Sequence, residues 1–151
     1  MSPVINSFRP LLALAFPMVC ALLIFLFRRR PNIRESCTLI AAVAQFAVIV
    51  SMAPVILDGK VIVTHILTIA AGLEITYRVD AFGLIFAITS SFLWILVSIY
   101  SIGYMRALEE HAQTRYYFMF ALAIFSAVSI ALSANLVTFY IFYEALTLST
   151  Y

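Results

Sequence analysis

Five stretches of this chain run almost without a charged side chain for about the length of a membrane crossing, at residues 10–27, 38–57, 81–100, 116–132 and 136–151. A helix rises about 1.5 Å per residue and a hydrocarbon core is about 30 Å thick, so roughly 20 apolar residues span it. Between them the runs take up most of a 151-residue chain that is 65% hydrophobic and 11% charged, with a mean hydropathy of +1.10. A soluble domain of this size lacks the interior to hide so much apolar surface. The expectation is an all-α membrane protein: a single transmembrane domain over residues 1–151, with about five transmembrane helices and lipid as solvent.

The polar punctuation supports this division. The first run ends at Arg28-Arg29-Arg30-Pro31. A secretory signal carries its positive charge before the apolar segment, so a retained span is expected instead. The second run holds Gln45 near its middle and Pro54 near its end, where proline bends a helix locally, and closes at Asp58-Gly59-Lys60. Residues 61–79 differ in kind: Leu73, Ile75, Tyr77 and Val79 alternate with Glu74, Thr76, Arg78 and Asp80. A period of two is strand patterning and predicts a short extracytoplasmic β-hairpin between the second and third helices, turning at Ala70-Ala71-Gly72. An amphipathic or re-entrant helix is the alternative for its first half. Asp80 stands where the third helix needs an N-cap.

A polar, aqueous turn is expected from 101 to 115, with Arg106, Glu109, Glu110, His111 and Arg115, and Ser133-Ala134-Asn135 separates the last two runs. Small residues recur every fourth position at Gly83, Ala87 and Ser91, and at Ala123, Ala127 and Ala131, which lets helices approach closely in lipid.

Basic residues set the orientation. Arg28, Arg29, Arg30, Arg34, Arg106 and Arg115 fall on one side, against Arg9, Lys60 and Arg78 on the other. The positive-inside rule makes the first side cytoplasmic, which leaves the N-terminus and the hairpin outside, in a bacterial inner (plasma) membrane. The basic residues lie scattered in loops, so nucleic acid is not an expected partner. Cys20 and Cys37 have no metal-ligand spacing and read as buried, unreactive thiols. No phosphate loop, nucleophile elbow or metal motif is present, and no cofactor is expected.

The candidate functional residue emerges by elimination: every charged side chain but one falls in a loop or at a helix end. The exception is Glu144, near the centre of the fifth run. An acidic residue there costs about 2.5–3.5 kcal/mol on insertion scales, and intramembrane acids mark ion and proton pathways. Tyr140, Thr147 and Tyr151 lie at i−4, i+3 and i+7, which places hydroxyls above and below the carboxyl on one helix face. The competing reading is a carboxyl that fixes helix packing. Gln45 is a further pathway candidate, although one amide hydrogen-bonding across helices explains it as well. His65 and His111 read as solvated or interfacial.

Two motifs add to this reading. Tyr100-Ser101-Ile102-Gly103-Tyr104-Met105, and Tyr143-Glu144-Ala145-Leu146-Thr147-Leu148-Ser149-Thr150-Tyr151, resemble the N-terminal portion of the antiporter-like subunits shared by respiratory complex I, membrane-bound hydrogenases and Mrp-type Na+/H+ antiporters. The segment 80–84 fits as well, and the wording around the glutamate is nearest the Mrp D-like subunits. The resemblance implies that Glu144 matches the family's fifth-helix, proton-pathway glutamate, working with lysines on later helices of a fourteen-helix module. It implies other membrane subunits as partners, and H+, with Na+ as a second candidate ion, as cargo. The alternative is a structural or assembly subunit of a complex I-like or hydrogenase complex without transport of its own. Any redox activity, such as that of an NADH:quinone oxidoreductase, would belong to partner subunits.

Overall fold

The computed structural model describes residues 3–70, 73–108 and 112–151. A short strand β1 (Val4–Asn6) leads into helix α1 (Arg9–Leu26), followed by α2 (Pro31–Val50) and one short turn of helix, α3 (Ala53–Leu57). Strands β2 (Val61–Ala70) and β3 (Leu73–Val79) precede the long helix α4 (Ala81–Ala107), then α5 (Gln113–Ala131) and α6 (Leu136–Thr150). Among the described residues, four segments are long and apolar enough to cross a membrane: Arg9–Leu26, Pro31–Leu57, Ala81–Ala107 and Gln113–Ala131. The fifth expected crossing corresponds to α6, which is apolar but has only 15 residues. At 1.5 Å per residue that is roughly 22 Å.

Several boundaries differ from expectation. The second helix begins at Pro31 rather than at residue 38, because proline at the first helical position has a preset φ and no N–H to lose. It also ends early, at Val50, since the Pro54 ring would clash with the carbonyl four residues back; the chain breaks at Ser51-Met52 and restarts as α3. Gly59, with φ of 77°, then makes the turn into β2. The third helix continues to Ala107, so residues 101–107 of the expected aqueous turn are helical. Of their polar side chains only Ser101 is buried, hydrogen-bonded with Tyr116 at 2.9 Å, while Tyr104 and Arg106 stay exposed. Cys20 is buried, but Cys37 is only partly so.

The alternating segment is a hairpin, β2 antiparallel to β3, with Thr64 opposite Tyr77 and Ile62 opposite Val79. Its expected turn at Ala70-Ala71-Gly72 falls at residues 71–72, outside the described residues. The alternation does what a period of two requires near the base: Tyr77 and Val79 are buried while Arg78 between them is exposed. A third strand was not expected. β1 pairs parallel with β2, Val4 opposite Val61, giving the order β1-β2-β3.

This sheet gathers one end of the bundle. The Arg9 guanidinium donates to the Ser51 carbonyl (3.0 Å), the Thr64 hydroxyl to Ser7 (2.6 Å) and the Arg78 amide to the Leu132 carbonyl (2.8 Å). Beneath it, a core cluster that includes Leu14, Ile49, Met52, Tyr77, Leu84 and Leu132 joins sheet to helices. A second cluster, with Cys20, Ala42, Trp94, Tyr117 and Ala121, lies between α1, α2, α4 and α5. Asp80 caps α4 as expected, its carboxylate accepting from the Gly83 amide at 2.8 Å. Of the two small-residue stripes, Gly83, Ala87 and Ser91 are buried, whereas Ala123, Ala127 and Ala131 are half-buried. The stripes meet at Gly83, where an added Cβ would stand 2.5 Å from the Ala131 carbonyl oxygen.

Candidate functional site

Helix α6 is docked before it reaches its carboxylate. The Asn135 side chain accepts from the Thr138 amide at 2.8 Å, closing the helix N-terminus, and its amide donates to the Glu74 carbonyl at 2.8 Å. The buried Thr138 hydroxyl accepts from the Thr76 amide at 3.1 Å. Both anchors are on strand β3. Further along, Phe142 turns toward the bundle, stacked on Tyr77 at 5.9 Å and edge-on to Phe125 of α5 at 5.5 Å. Two residues later is about 200° around a helix, so Glu144 lies on the opposite side. Its side chain is exposed on a face that no other described element of the chain covers.

Tyr140, Thr147 and Tyr151 share that exposed face. Tyr140 precedes Glu144 by one helical turn on that face. Thr147 donates to the Tyr143 carbonyl at 3.0 Å, which engages its proton and leaves its oxygen free to accept. Tyr151 borders an open pocket of about 570 Å³ between α5 and α6, with Arg115, Tyr116 and Ser149 on its walls. One helix thus carries carboxyl, phenols and hydroxyl in a single row.

Gln45 is elsewhere. It is 0% exposed in the interior on α2, and neither atom of its amide has a protein partner. Trp94 Nε1 and Ser98 Oγ on α4, and the Tyr117 hydroxyl on α5, are likewise buried and unpartnered. In hydrocarbon such groups are costly, and buried water is their usual partner.

Three charged residues assigned by sequence to loops turn out to build the far end of this interior. Arg34 and Glu35, both 4% exposed, sit in the first turns of α2. Glu35 pairs with Arg106 at the end of α4, whose guanidinium also donates to Asn32 at 2.8 Å. Arg34 donates to Gln113 (2.6 Å) and Thr114 (2.8 Å) at the start of α5 and lies over the Tyr117 ring, 5.2 Å from its centroid. Glu144 is therefore not the sole charged residue within a helix, and Arg34 and Glu35, unlike it, are buried in the bundle. The missed signal was a stripe that starts upstream of the apolar run: Arg34, then Thr38, Ala41, Gln45 and Ile49 within it, recur at helical spacing.

His65 is half-exposed on β2, its ring 3.5 Å from the Glu74 carboxylate, while His111 lies outside the described residues. The six arginines counted on one side of the membrane do collect at one end of the bundle, opposite Arg9, Lys60 and the sheet.

No curated protein matches the chain significantly. Residues 67–117 match the family model of the NADH-ubiquinone oxidoreductase (complex I) chain 5 N-terminus. The matched segment takes in most of the hairpin, all of α4 and the start of α5. Together with four membrane-length apolar helices among the described residues, the match supports an integral membrane protein whose residues 67–117 are similar to the N-terminal segment of a complex I antiporter-like subunit.

Proposed function

We propose that this chain acts as the N-terminal part of a membrane subunit in a multisubunit cation/proton antiporter, and that Glu144 takes up and releases the transported proton. One observation carries the reading: a carboxyl in the middle of an apolar helix stands on a face that no other described element of the chain covers. Facing lipid it would cost about 2.5–3.5 kcal/mol, so it calls for further helices with polar or cationic groups opposite. Other membrane subunits, or later helices of the same module bearing lysines, supply that lining. A cation nearby stabilises the carboxylate and its withdrawal favours protonation, which is how a neighbouring charge drives the proton on or off.

The proton's route along α6 is the row Tyr140, Glu144, Thr147 and Tyr151, with water between hydroxyls. Thr147 contributes an acceptor oxygen, since its own proton is engaged by Tyr143. Gln45 lies apart from this row, on α2. The arginine-rich end of the bundle supports a cytoplasmic placement, with the sheet and N-terminus outside, in a bacterial plasma membrane.

The test is Glu144→Gln in the assembled complex, reconstituted in sealed vesicles and followed by a pH-sensitive dye, with and without a Na+ gradient. Loss of coupled proton movement with normal assembly is expected; undiminished transport would reject the role. The exposed aromatic surface of the same face, Tyr140 and Tyr143, favours a second reading as a docking subunit of a complex I-like assembly. There the same variant disturbs assembly and leaves proton flux per assembled complex unchanged.

A further inference from the structure

At the end of the bundle opposite the sheet, α1 and α5 part to leave an open pocket of about 580 Å³. Arg28 and Arg29 reach it from the turn after α1, and Arg115 from the first turn of α5. Its remaining walls are Thr114, Phe25 and Phe118. All three guanidiniums are exposed, and among the described residues no carboxylate pairs with any of them. By contrast, the basic residues Arg9 and Lys60 at the other end are engaged by the Ser51 carbonyl and by Asp58. The Thr114 hydroxyl oxygen accepts from Arg34, so its proton remains available to donate into the pocket. Phe25 is 65% exposed and points away from the bundle at the last turn of α1.

We propose that this pocket binds an anionic glycerophospholipid from the surrounding bilayer, its phosphodiester held by Arg28, Arg29 and Arg115 and an acyl chain lying along Phe25 and Phe118. Guanidinium groups match phosphate oxygens with paired N–H donors, and three of them converge from two separate helix ends. Below them the wall becomes aromatic, in the order of a lipid's own polar and apolar parts. Basic pockets between membrane helices at the interface take anionic headgroups in this manner. A bound lipid of this kind would bridge α1 and α5.

The experiment is native mass spectrometry of the purified full chain in mild detergent, titrated with phosphatidylglycerol or with phosphatidylcholine of the same acyl chains. Phosphatidylglycerol is expected to be retained preferentially. Each of Arg28→Gln, Arg29→Gln and Arg115→Gln should weaken it roughly fivefold, and the triple variant by on the order of a hundredfold, with phosphatidylcholine unaffected. Circular dichroism melting checks the fold; should the triple variant unfold, the single variants carry the test at fivefold each. Equal retention of the two lipids by the wild-type chain would overturn the proposal. So would an Arg30→Gln variant as weak as Arg29→Gln, since Arg30 lies outside the pocket and its effect would mean diffuse charge. Displacement by millimolar inorganic phosphate would assign the site to the free ion instead.

Discussion

Replacing Gly83 by alanine sets two effects of known sign against each other. Gly83 lies in the first turn of α4, and glycine in a helix is about 1 kcal/mol worse than alanine, so propensity alone favours the substitution. Sterically the site is closed: the new Cβ would stand 2.5 Å from the Ala131 carbonyl oxygen and 3.3 Å from the Asp80 carboxylate that caps the helix. Ordinary contact begins at 3.4 Å, so the helices must separate by about 1 Å. Ala131 cannot retreat easily, because the next residue, Leu132, accepts from the Arg78 amide at 2.8 Å, and Ala134 donates to the Thr76 carbonyl at 2.9 Å. Overpacking against such a backbone costs about 1–3 kcal/mol, here toward the upper part of that range. The net loss is about 1–2 kcal/mol, or a melting temperature lower by roughly 3–6 °C for a chain of this length. Gly103→Ala is the control, since nothing lies within 4 Å of its Cβ position, and it should melt at or slightly above wild type. Thermal unfolding of both variants in the same detergent measures the contrast. A Gly83→Ala protein at least as stable as Gly103→Ala would refute the claim that α4 and α5 touch through this glycine.

Two further outcomes rest on buried groups. Arg106→Gln leaves the Glu35 carboxylate inside the bundle with only the Arg34 guanidinium, 3.9 Å away, and should lower the melting temperature, whereas adding Glu35→Gln should recover most of that loss. Simple addition of the two single effects would show that the pair is not coupled. Burial pushes the Tyr77 phenol up from 10.0 to about 12, against a smaller lowering by its hydrogen bond to Ser129. The folded protein therefore holds that proton more tightly than the unfolded chain; stability is at its full value below pH 10 and declines as the pH rises from 10 toward 12. Tyr77→Phe should flatten that decline in pH-dependent melting, and an unchanged alkaline slope would assign it to other groups.

Much of the architecture was legible because it is local. Whether a segment enters lipid depends on the summed hydropathy of its own residues, so all five apolar runs correspond to helices. Asp80 is a cap because the amide it accepts from belongs to Gly83, three positions along the chain, and the hairpin shows itself through alternation along a single strand. Where reading failed, the deciding partner was distant. Strand β1 has three residues and little pattern of its own; it exists because Val61–Val63 offers an edge to pair with. Arg34 and Glu35 resemble loop residues until Gln113, Thr114 and Arg106, some seventy positions or more away, supply the donors and acceptors that let a helix begin around them.

The candidate site divides along the same line. By itself the sequence determined that a lone carboxyl occupies the middle of an apolar helix with hydroxyls at helical spacing on either side, since composition and a 3.6-residue period require nothing else. Only the tertiary structure decided which way that row looks. Phe142 takes the inward position against Tyr77 and Phe125, and the rigid helix then turns Glu144 outward, away from Gln45 and the charged interior. Side-chain order along a helix is a property of the chain, but the direction it faces is set by which neighbour its largest apolar groups bury against.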